Sequence, residues 1–519
     1  MKRSLTFEKK FGFEVWNEER IKKAYDFTEG YRDFISKCKT EREVVEWVAE
    51  RVRGEGYTEV ARLAEDGESR RGSGKPESIT GTTSTTNITS KSNHPLTSSK
   101  HPLKIFGINR GKAIVLGRFG KKPVREGIKM VLAHIDSPRI DLKPTPLYEA
   151  EKIAWLKTQY YGGIKKYQWP AIPLAIHGVI VLADGQRVVL NIGENEADPV
   201  FTITDLLPHL SQKQMEKKLE EAVEGEEMNI VVGSQPTTSS KFKVQSSKLG
   251  DEKNAVKLGV LELLNKTYGI TEEDLVSADL EIVPAGKARD LGFDRSMIGG
   301  YGQDDRICAY TALQAVLEIN DPDKSIVIVL VDKEETGSES NTGALSNFIP
   351  DFISEMLFME ETRLCPPNGG TSARQGHDEN LLRDCLSQTK AISADVAVGF
   401  DPDYESVVDK RNIGRIGAGI VIEKYTGRGG KSSTSEASAE YLAYIRNIFN
   451  KNDILWQTGA MGKVDLGGGG TIAMFLARYN MDVVDAGPAI LSMHSPFEIA
   501  SKIDLYASFE AYKAFLKGS

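Results

Sequence analysis

A chain of 519 residues is longer than one ordinary folding domain, so at least two folded units are expected. Apolar residues make up 40% of the chain and charged residues 27%, a composition typical of globular proteins. The formal net charge of -8 argues against nucleic acid or an anionic membrane as the main partner, because both select a basic surface.

The four cysteines are scattered without a CxxC pair, so neither a disulfide framework nor a thiolate zinc site is indicated. The first residues contain no apolar stretch of signal-peptide length, and no window approaches the ~18 apolar residues of a membrane span. We therefore expect a cytoplasmic protein.

The N-terminal part of the chain opens with a helical pattern. Residues 40–57 carry apolar side chains at i, i+3, i+4 and i+7, as one buried helical face requires. From 66 to 102 the sequence turns to Ser, Thr, Gly, Asn and Lys, which cannot bury enough apolar surface to offset the entropy of ordering. That stretch predicts a flexible loop. Two β-branched runs follow, 111–119 and 127–136, both typical of strands.

The middle of the chain, 143–290, has a different character. It combines short strand-like pieces and prolines with an acidic helical segment at 211–227 and a Ser/Thr/Lys-rich stretch at 233–250. We interpret it as a domain inserted between two halves of a first domain, which would comprise 1–142 and 291–519.

After residue 291 helical and strand patterns alternate, as in α/β proteins. A helical period covers 304–319, and a second loop-like insertion is expected at 361–385. Buried strands are predicted at 325–336, 392–401 and 482–495. A further helix is predicted at 433–449.

Four apolar strands each run into residues that can bind a metal ion. These residues are His134 with Asp136, Glu334 with Glu335, Asp395, and His494. A fifth acidic group, Asp304, lies where a loop enters a helix. Zinc binds imidazole nitrogen and carboxylate oxygen, and two ions ~3.5–4 Å apart need a shared carboxylate. The pattern therefore predicts two divalent ions, with zinc favoured over cobalt or manganese.

Each predicted ligand can be given a role from its position. Asp136 lies on the same face of a strand end as His134 and can fix the orientation of its ring. Asp304, at a helix N-terminus, is the natural bridging ligand. Glu335 would bind one ion, while Glu334 would take a proton from the attacking water.

Each pattern has an ordinary structural explanation when it stands alone. A histidine at a strand end is more often a satisfied core or surface residue, and paired carboxylates commonly cap solvated helices. The chain has only seven histidines, however, and two of them follow apolar strands in chain order with the acidic positions. This combination favours a metal site.

In order and spacing, five segments resemble the M18 metallopeptidases, the aspartyl aminopeptidase family within the clan of co-catalytic zinc exopeptidases. The segments are LAHIDSPRIDLK (132–143), GQDDRICAYTAL (302–313), VDKEETGS (331–338), ISADVAVGFDPDY (392–404) and SMHSPFEIAS (492–501). The resemblance spans nearly the whole chain outside the predicted loops. It implies an aminopeptidase with a mixed-sheet α/β catalytic domain, interrupted by a β-rich domain that builds dimers and then a tetrahedral dodecamer.

The resemblance also implies site residues. The metal ligands would be His134, Asp304, Glu335, Asp395 and His494, with Asp304 bridging, Glu334 as general base and Asp136 orienting His134. Family members carry a histidine that reaches a neighbouring subunit's active site, and the nearest candidate is His209. Asp305 replaces an asparagine that is common in the family.

Substrate preference departs from the family pattern. Aspartyl aminopeptidases have a lysine in a VIKV-like strand that suits an acidic substrate side chain, whereas this chain has GIVIEKY with Glu423 aligned there and Lys424 next to it. A neutral or basic first residue is therefore expected rather than Asp or Glu. The alternatives are an acidic-residue-specific aminopeptidase, a carboxypeptidase or deacylase with the same chemistry, and a non-catalytic oligomeric scaffold.

Overall fold

A computed structural model describes residues 5–60, 104–237, 254–364 and 379–518 of the chain. These residues form a mixed α/β fold with three sheets. The nine-stranded sheet has the spatial order β1 (Thr58–Glu59), β2 (Lys104–Asn109), β3 (Ala113–Arg118), β14 (Ile326–Val331), β4 (Lys129–His134), β15 (Lys390–Ser393), β19 (Asp482–Gly487), β17 (Ile420–Glu423) and β18 (Trp456–Gly459).

The other two sheets are smaller. The seven-stranded sheet has the order β8 (Arg187–Ile192), β7 (Leu174–Val181), β11 (Ala278–Pro284), β5 (Arg139–Ala150), β6 (Ile153–Tyr161), β10 (Ile230–Gly233) and β9 (Thr202–Ile203). The five-stranded sheet has the order β12 (Arg289–Leu291), β13 (Met297–Gly300), β21 (Glu498–Ser501), β20 (Ala489–Leu491) and β16 (Ala397–Val398).

The α-helices of the described residues are Gly12–Val15, Glu18–Lys37, Glu41–Gly54, Gln212–Met215, Leu219–Ala222, Ala255–Tyr268, Gln303–Leu317, Phe348–Leu364, Glu379–Ser387, Ala439–Lys451, Ala473–Ala477 and Lys502–Lys517. Within this part of the chain, none of them is both long enough and apolar enough to cross a membrane.

The nine-stranded sheet is buried on both faces, because a hydrophobic cluster packs against each of them. Residues of β4 alternate, so that Val131 and Ala133 pack into one hydrophobic cluster while Met130 and Leu132 pack into another. Helices Gln303–Leu317 and Lys502–Lys517 cover the first face, and Phe348–Leu364 covers the second. Near-continuous apolar runs such as β14 are typical of strands covered on both sides.

Several predicted elements are confirmed. The helix expected in 40–57 is Glu41–Gly54, and it begins with a capping box formed by Thr40 and Glu43. Its buried face includes Val44 and Val48. The strands predicted around His134, Glu334 and Asp395 are also present, as β4, β14 and β15.

Two predictions of local structure are wrong in part. The 211–227 segment forms two single-turn helices, Gln212–Met215 and Leu219–Ala222, rather than one; its apolar residues Met215 and Leu219 stay exposed, so no packing stabilises a longer helix. The 361–385 loop is shorter than expected, since Glu379–Ser387 is helical and buries Cys385 and Leu386. The predicted loop at 66–102, most of that at 233–250 and residues 365–378 lie outside the described residues.

Strands from 139 to 284 form the seven-stranded sheet by themselves. The chain enters this sheet directly after β4, and β5 pairs with β6 so that Arg139 lies opposite Tyr161. As a result, both the beginning of β5 and the end of β6 lie beside the end of β4. The seven-stranded sheet thus contacts the edge where the predicted metal ligands gather.

Candidate active site

Parallel strands bring the predicted ligands together. In the nine-stranded sheet β4 pairs in parallel with both β14 and β15, and Val331 lies opposite His134. The carboxyl ends of these strands therefore share one edge, as ligand sites in open α/β sheets require. Glu334 and Glu335 follow β14 in a 3-10 turn, and Asp395 follows β15.

Asp304 lies between the two histidines. One carboxylate oxygen, Oδ1, is 3.1 Å from His134 Nε2, and the other, Oδ2, is 3.2 Å from His494 Nε2. Asp304 belongs to the first turn of helix Gln303–Leu317, where its backbone departs from helical geometry (φ -80, ψ 106) and turns the side chain into the site. Asp304 therefore lies between the two rings, and its bridging role stays a prediction.

The remaining acidic residues complete the cluster. Glu335 Oε1 is 3.4 Å from His494 Nε2, and Asp395 Oδ1 is 3.8 Å from His134 Nε2. Three sets of side chains each bring ligand atoms within 4.8 Å of one another. The sets are His134 with Glu334 and Glu335, His134 with Asp305 and Asp395, and Asp304 with Glu335 and His494.

Asp136 contacts His134 on the ring nitrogen that faces away from Asp304, and the sequence spacing predicted this contact. Its Oδ1 is 3.3 Å from His134 Nδ1, and the backbone carbonyl of Asp136 is 3.0 Å from the same nitrogen. Its two carboxylate oxygens also accept the N–H groups of Glu334 and Glu335, each at 3.2 Å. Asp136 therefore fixes both the ring of His134 and the turn that carries the two glutamates.

Sequence reasoning missed Glu498, although it lies within the SMHSPFEIAS segment. Its Oε2 accepts the N–H groups of Gln303 (2.6 Å) and Asp304 (3.2 Å), while Oε1 accepts the N–H of His494 (2.8 Å). Burial raises the pKa of Glu498 to about 8, and Asp304 adds to the shift. The buried carboxyl ties together the two backbone segments that present Asp304 and His494.

Negative charge is in excess in this cluster. Burial raises the pKa of Glu334 to about 7, with His134 opposing the shift and Asp136 adding to it. Burial, together with neighbouring carboxylates, also raises the pKa values of Glu335 and Asp395 well above their ordinary range. Burial acts against the charged form of His494, but Asp304 and Glu335 still raise its pKa to about 10.

The imidazole nitrogens and carboxylate oxygens of this cluster suit divalent cations. Glu335 Oε1 and both carboxylate oxygens of Asp305 are buried and accept no hydrogen bond from the described residues. Buried acceptors without donors are costly unless a cation lies against them. Imidazole nitrogens and carboxylate oxygens converging on the same space are the ligands that zinc binds.

A cavity of ≈ 290 Å³ opens onto the cluster and extends to β17 and β19. Its wall includes Glu423, the glycines Gly468–Gly470 and Asp485. Of the two acidic residues, sequence reasoning singled out Glu423 but not Asp485. Glu423 and Asp485 are opposite each other in the antiparallel β17–β19 pair, so their side chains share one face. Lys424 lies on the other face, where it is 3.4 Å from Glu436.

The two acidic residues of this wall differ in their ionisation. Burial raises the pKa of Glu423 to about 8, and Asp485 adds to the shift. Burial raises the pKa of Asp485 to about 6, against the opposing hydroxyls of Ser393 and Thr471. Near pH 7 the pair therefore carries about one negative charge at the end of the cavity.

His209 lies apart from this site. It is exposed in the 3-10 turn Pro208–Leu210 and is not among the residues that line the cavity of its own chain. Its predicted contribution to a neighbouring subunit stays a prediction.

Comparison with known proteins identifies relatives over the full length. The family model described as aminopeptidase I zinc metalloprotease (M18) matches residues 82–516. A probable M18 family aminopeptidase 1 of Clostridium acetobutylicum is 43% identical over 516 residues, covering 99% of this chain and 100% of the relative.

Solved structures agree with this assignment. The crystal structure of an M18 aminopeptidase from Thermotoga maritima has a TM-score of 0.84 at 40% identity, covering 99% of this chain and 100% of that one. The S. cerevisiae mApe1 dodecamer has a TM-score of 0.67 at 20% identity, covers 96% of this chain and 97% of that chain, and shares the fold. The chain belongs to the M18 family of zinc metallo-aminopeptidases, which are hydrolases acting on peptides.

Proposed function

We propose that the chain is a two-ion aminopeptidase that removes the N-terminal residue from short peptides. The observation that carries this proposal is the carboxylate of Asp304, whose two oxygens face His134 Nε2 and His494 Nε2 at 3.1 and 3.2 Å. One shared carboxylate between two imidazoles is the arrangement that a pair of divalent ions needs. The first ion would be held by His134 and Asp395, and the second by Glu335 and His494.

The chemistry divides between the ions and the protein. Two bound zinc ions would polarise the peptide carbonyl and lower the pKa of the attacking water. Glu334 takes a proton from that water and delivers it to the leaving nitrogen as the carbon–nitrogen bond breaks. Glu334 suits this role because its side chain lies beside the proposed ligands His134 and Glu335, with which it brings ligand atoms within 4.8 Å of one another. Asp136 keeps Nε2 of His134 directed at the site.

The acidic pair favours a neutral or basic first residue of the substrate. Asp485 would attract a cationic side chain, and arrival of that cation would lower the pKa of Glu423 and release its proton. A neutral side chain would meet Glu423 in its protonated form. An acidic side chain would be placed beside a buried anion, which costs several kcal/mol in a water-poor pocket. Lys424 offers it no compensation, because it faces away from the cavity.

Self-association follows from the family. We propose that the inserted 143–290 segment forms the dimerisation domain and that dimers assemble into a tetrahedral dodecamer, in which His209 would reach a neighbour's active site. The dodecamer of the yeast relative, which shares the fold, supports self-association of this chain. Exposed apolar side chains on the segment, such as Val189 and Leu206, are consistent with a buried subunit interface. A cytoplasmic location remains a prediction.

A substrate panel tests the proposal. Zinc-loaded protein is assayed on peptides with each of the twenty N-terminal residues and on the same peptides with an acetylated N-terminus. We expect cleavage of free N-termini only, with Leu, Lys and Arg ahead of Asp and Glu. Cleavage of acetylated peptides would indicate the deacylase or carboxypeptidase alternative, strong Asp/Glu selectivity the acidic-specific one, and no cleavage with less than one ion per chain the scaffold.

A further inference from the structure

The end of strand β6 and the two glycines after it reach both candidate metal-binding histidines, one through Asp136 and the other directly. This strand belongs to the seven-stranded sheet, and its last residue, Tyr161, is followed by the glycine pair Gly162–Gly163. Tyr161 Oη donates a hydrogen bond of 2.6 Å to Asp136 Oδ2. The other oxygen of that carboxylate, Oδ1, lies 3.3 Å from His134 Nδ1. The tyrosine therefore acts on His134 through one intervening carboxylate.

Two cations hold the tyrosine ring in place. The guanidinium carbon of Arg139 is 3.9 Å from the ring centroid, and Lys333 Nζ is 4.7 Å from it. Arg139 is itself fixed by Asp141 at 2.8 Å and Glu281 at 3.1 Å. A ring packed between two cations has little freedom, so its hydroxyl is held at one position on Asp136.

The second histidine is contacted two residues later. His494 Nδ1 donates to the backbone carbonyl of Gly163 at 2.9 Å, so that Nε2, 3.2 Å from Asp304 Oδ2, is the ring nitrogen left to bind a metal ion. The turn itself requires glycine at residue 162, where φ is +72 and a β-carbon would lie 3.3 Å from Glu335 Cβ. The turn is thus packed against the ligands that it orients.

We propose that the Tyr161–Gly163 strand end is a positioning device that sets both metal-binding histidines from outside the catalytic sheet. This inference rests on the proposed two-ion function. Tyr161 fixes the Asp136 carboxylate and through it the angle of His134, whose Nδ1 also contacts the Asp136 backbone carbonyl, while the Gly163 carbonyl fixes the tautomer and angle of His494. The seven-stranded sheet then contributes to metal affinity as well as to assembly, because one strand end supports a ligand of each ion.

The test is zinc affinity of the Tyr161→Phe variant, measured by competition with a chromophoric chelator. Loss of a hydrogen bond to a group behind a metal ligand typically weakens binding 10–100-fold. We expect that loss for one of the two ions, with kcat reduced by a similar factor and KM within about threefold. The matched control is Tyr160→Phe, because Tyr160 points to the opposite face of β6 and is 43% exposed.

Three further measurements keep the inference falsifiable. The melting temperature of the metal-free variant reports folding separately from metal binding, and the visible absorption spectrum of cobalt-loaded protein reports ligand geometry. Should Tyr161→Phe fail to fold, Gly162→Ala displaces the turn without removing a polar group and should weaken zinc binding instead. Parental affinity and an unchanged cobalt spectrum in a folded variant would overturn the inference. A parent that binds no zinc would instead refute the two-ion function.

Discussion

Asp304 faces His134 and His494 with separate carboxylate oxygens, Oδ1 at 3.1 Å from one ring and Oδ2 at 3.2 Å from the other. An amide cannot bridge in this way, because its nitrogen has no lone pair for a cation. We therefore expect Asp304→Asn to retain fewer than two zinc ions per chain and to lose activity on leucine p-nitroanilide by roughly 10³-fold.

Metal content of the dialysed Asp304→Asn protein checks this prediction by elemental analysis. Asp321→Asn is the matched control, because Asp321 is an exposed loop residue with positive φ, a conformation that asparagine tolerates. Two ions bound at parental affinity in Asp304→Asn would show that this carboxylate does not bridge.

Substitution of Glu334 should remove most of the activity without removing the metal ions. Glutamine keeps the size of the side chain but cannot accept the proton, so Glu334→Gln is expected to lower kcat by about 10²–10⁴-fold. Zinc content should stay near that of the parent, because His134, Asp304, Glu335, Asp395 and His494 remain. Glu339→Gln, at an exposed residue shortly after the site, is the control. Loss of zinc together with activity would make Glu334 a ligand instead.

Sequence patterning placed several candidate ligands together because they follow buried strands whose carboxyl ends share one edge of a parallel sheet, while His494 follows β20 of the five-stranded sheet. His134 and Asp395 illustrate this, since each follows an apolar run that hydrophobic patterning identifies. Asp304 was predicted from a helix start, and the structure places it in the first helical turn.

The supporting residues could not be predicted in the same way. Tyr161 ends a strand of a different sheet, and only the β5–β6 pairing brings it to Asp136. Asp485 lies inside an apolar strand, where a single carboxylate has no motif of its own, and its pairing with Glu423 depends on an antiparallel register. Long-range pairing of this kind is not encoded in local periodicity.

Specificity should respond to the acidic pair. Replacing either carboxyl group, in Glu423→Gln or Asp485→Asn, is expected to lower kcat/KM for N-terminal Arg and Lys by about 10–100-fold and to change that for Leu by less than about threefold. The physical reason is that a cationic side chain loses its anionic partner, whereas a neutral one loses little. The measurement is steady-state kinetics on arginine, lysine and leucine p-nitroanilides.

Lys424→Gln is the matched control for the acidic pair, because Lys424 is the next residue along β17 but points away from the cavity. Its kinetics should equal those of the parent on all three substrates. Equal losses on arginine and leucine substrates in Glu423→Gln would show that the pair shapes the cavity without selecting charge.

Lys129 lies at the opposite end of β4 from His134. We expect its titration to make the stability of the protein depend on pH. Lys129 is 5% exposed, and its amine contacts the hydroxyl of Tyr444 and lies 4.7 Å from the ring centroid of Phe515. Burial lowers the pKa of Lys129 to about 7, and the nearby Lys390 adds to the shift. The folded state therefore binds fewer protons than the unfolded state between about pH 7 and 10.4.

Because stability rises with pH wherever the unfolded state binds more protons, the parent should become more stable across that interval. Lys129→Met keeps the side-chain length without the charge, so it should stabilise the metal-free protein by roughly 2–4 kcal/mol at pH 6. Its advantage over the parent should shrink by about 1.4 kcal/mol per pH unit between pH 7 and 10. Urea unfolding at pH 6, 7.5 and 9 measures both effects, with the exposed Lys121→Met as control. A stability difference that stays constant with pH would mean that Lys129 remains charged in the folded protein.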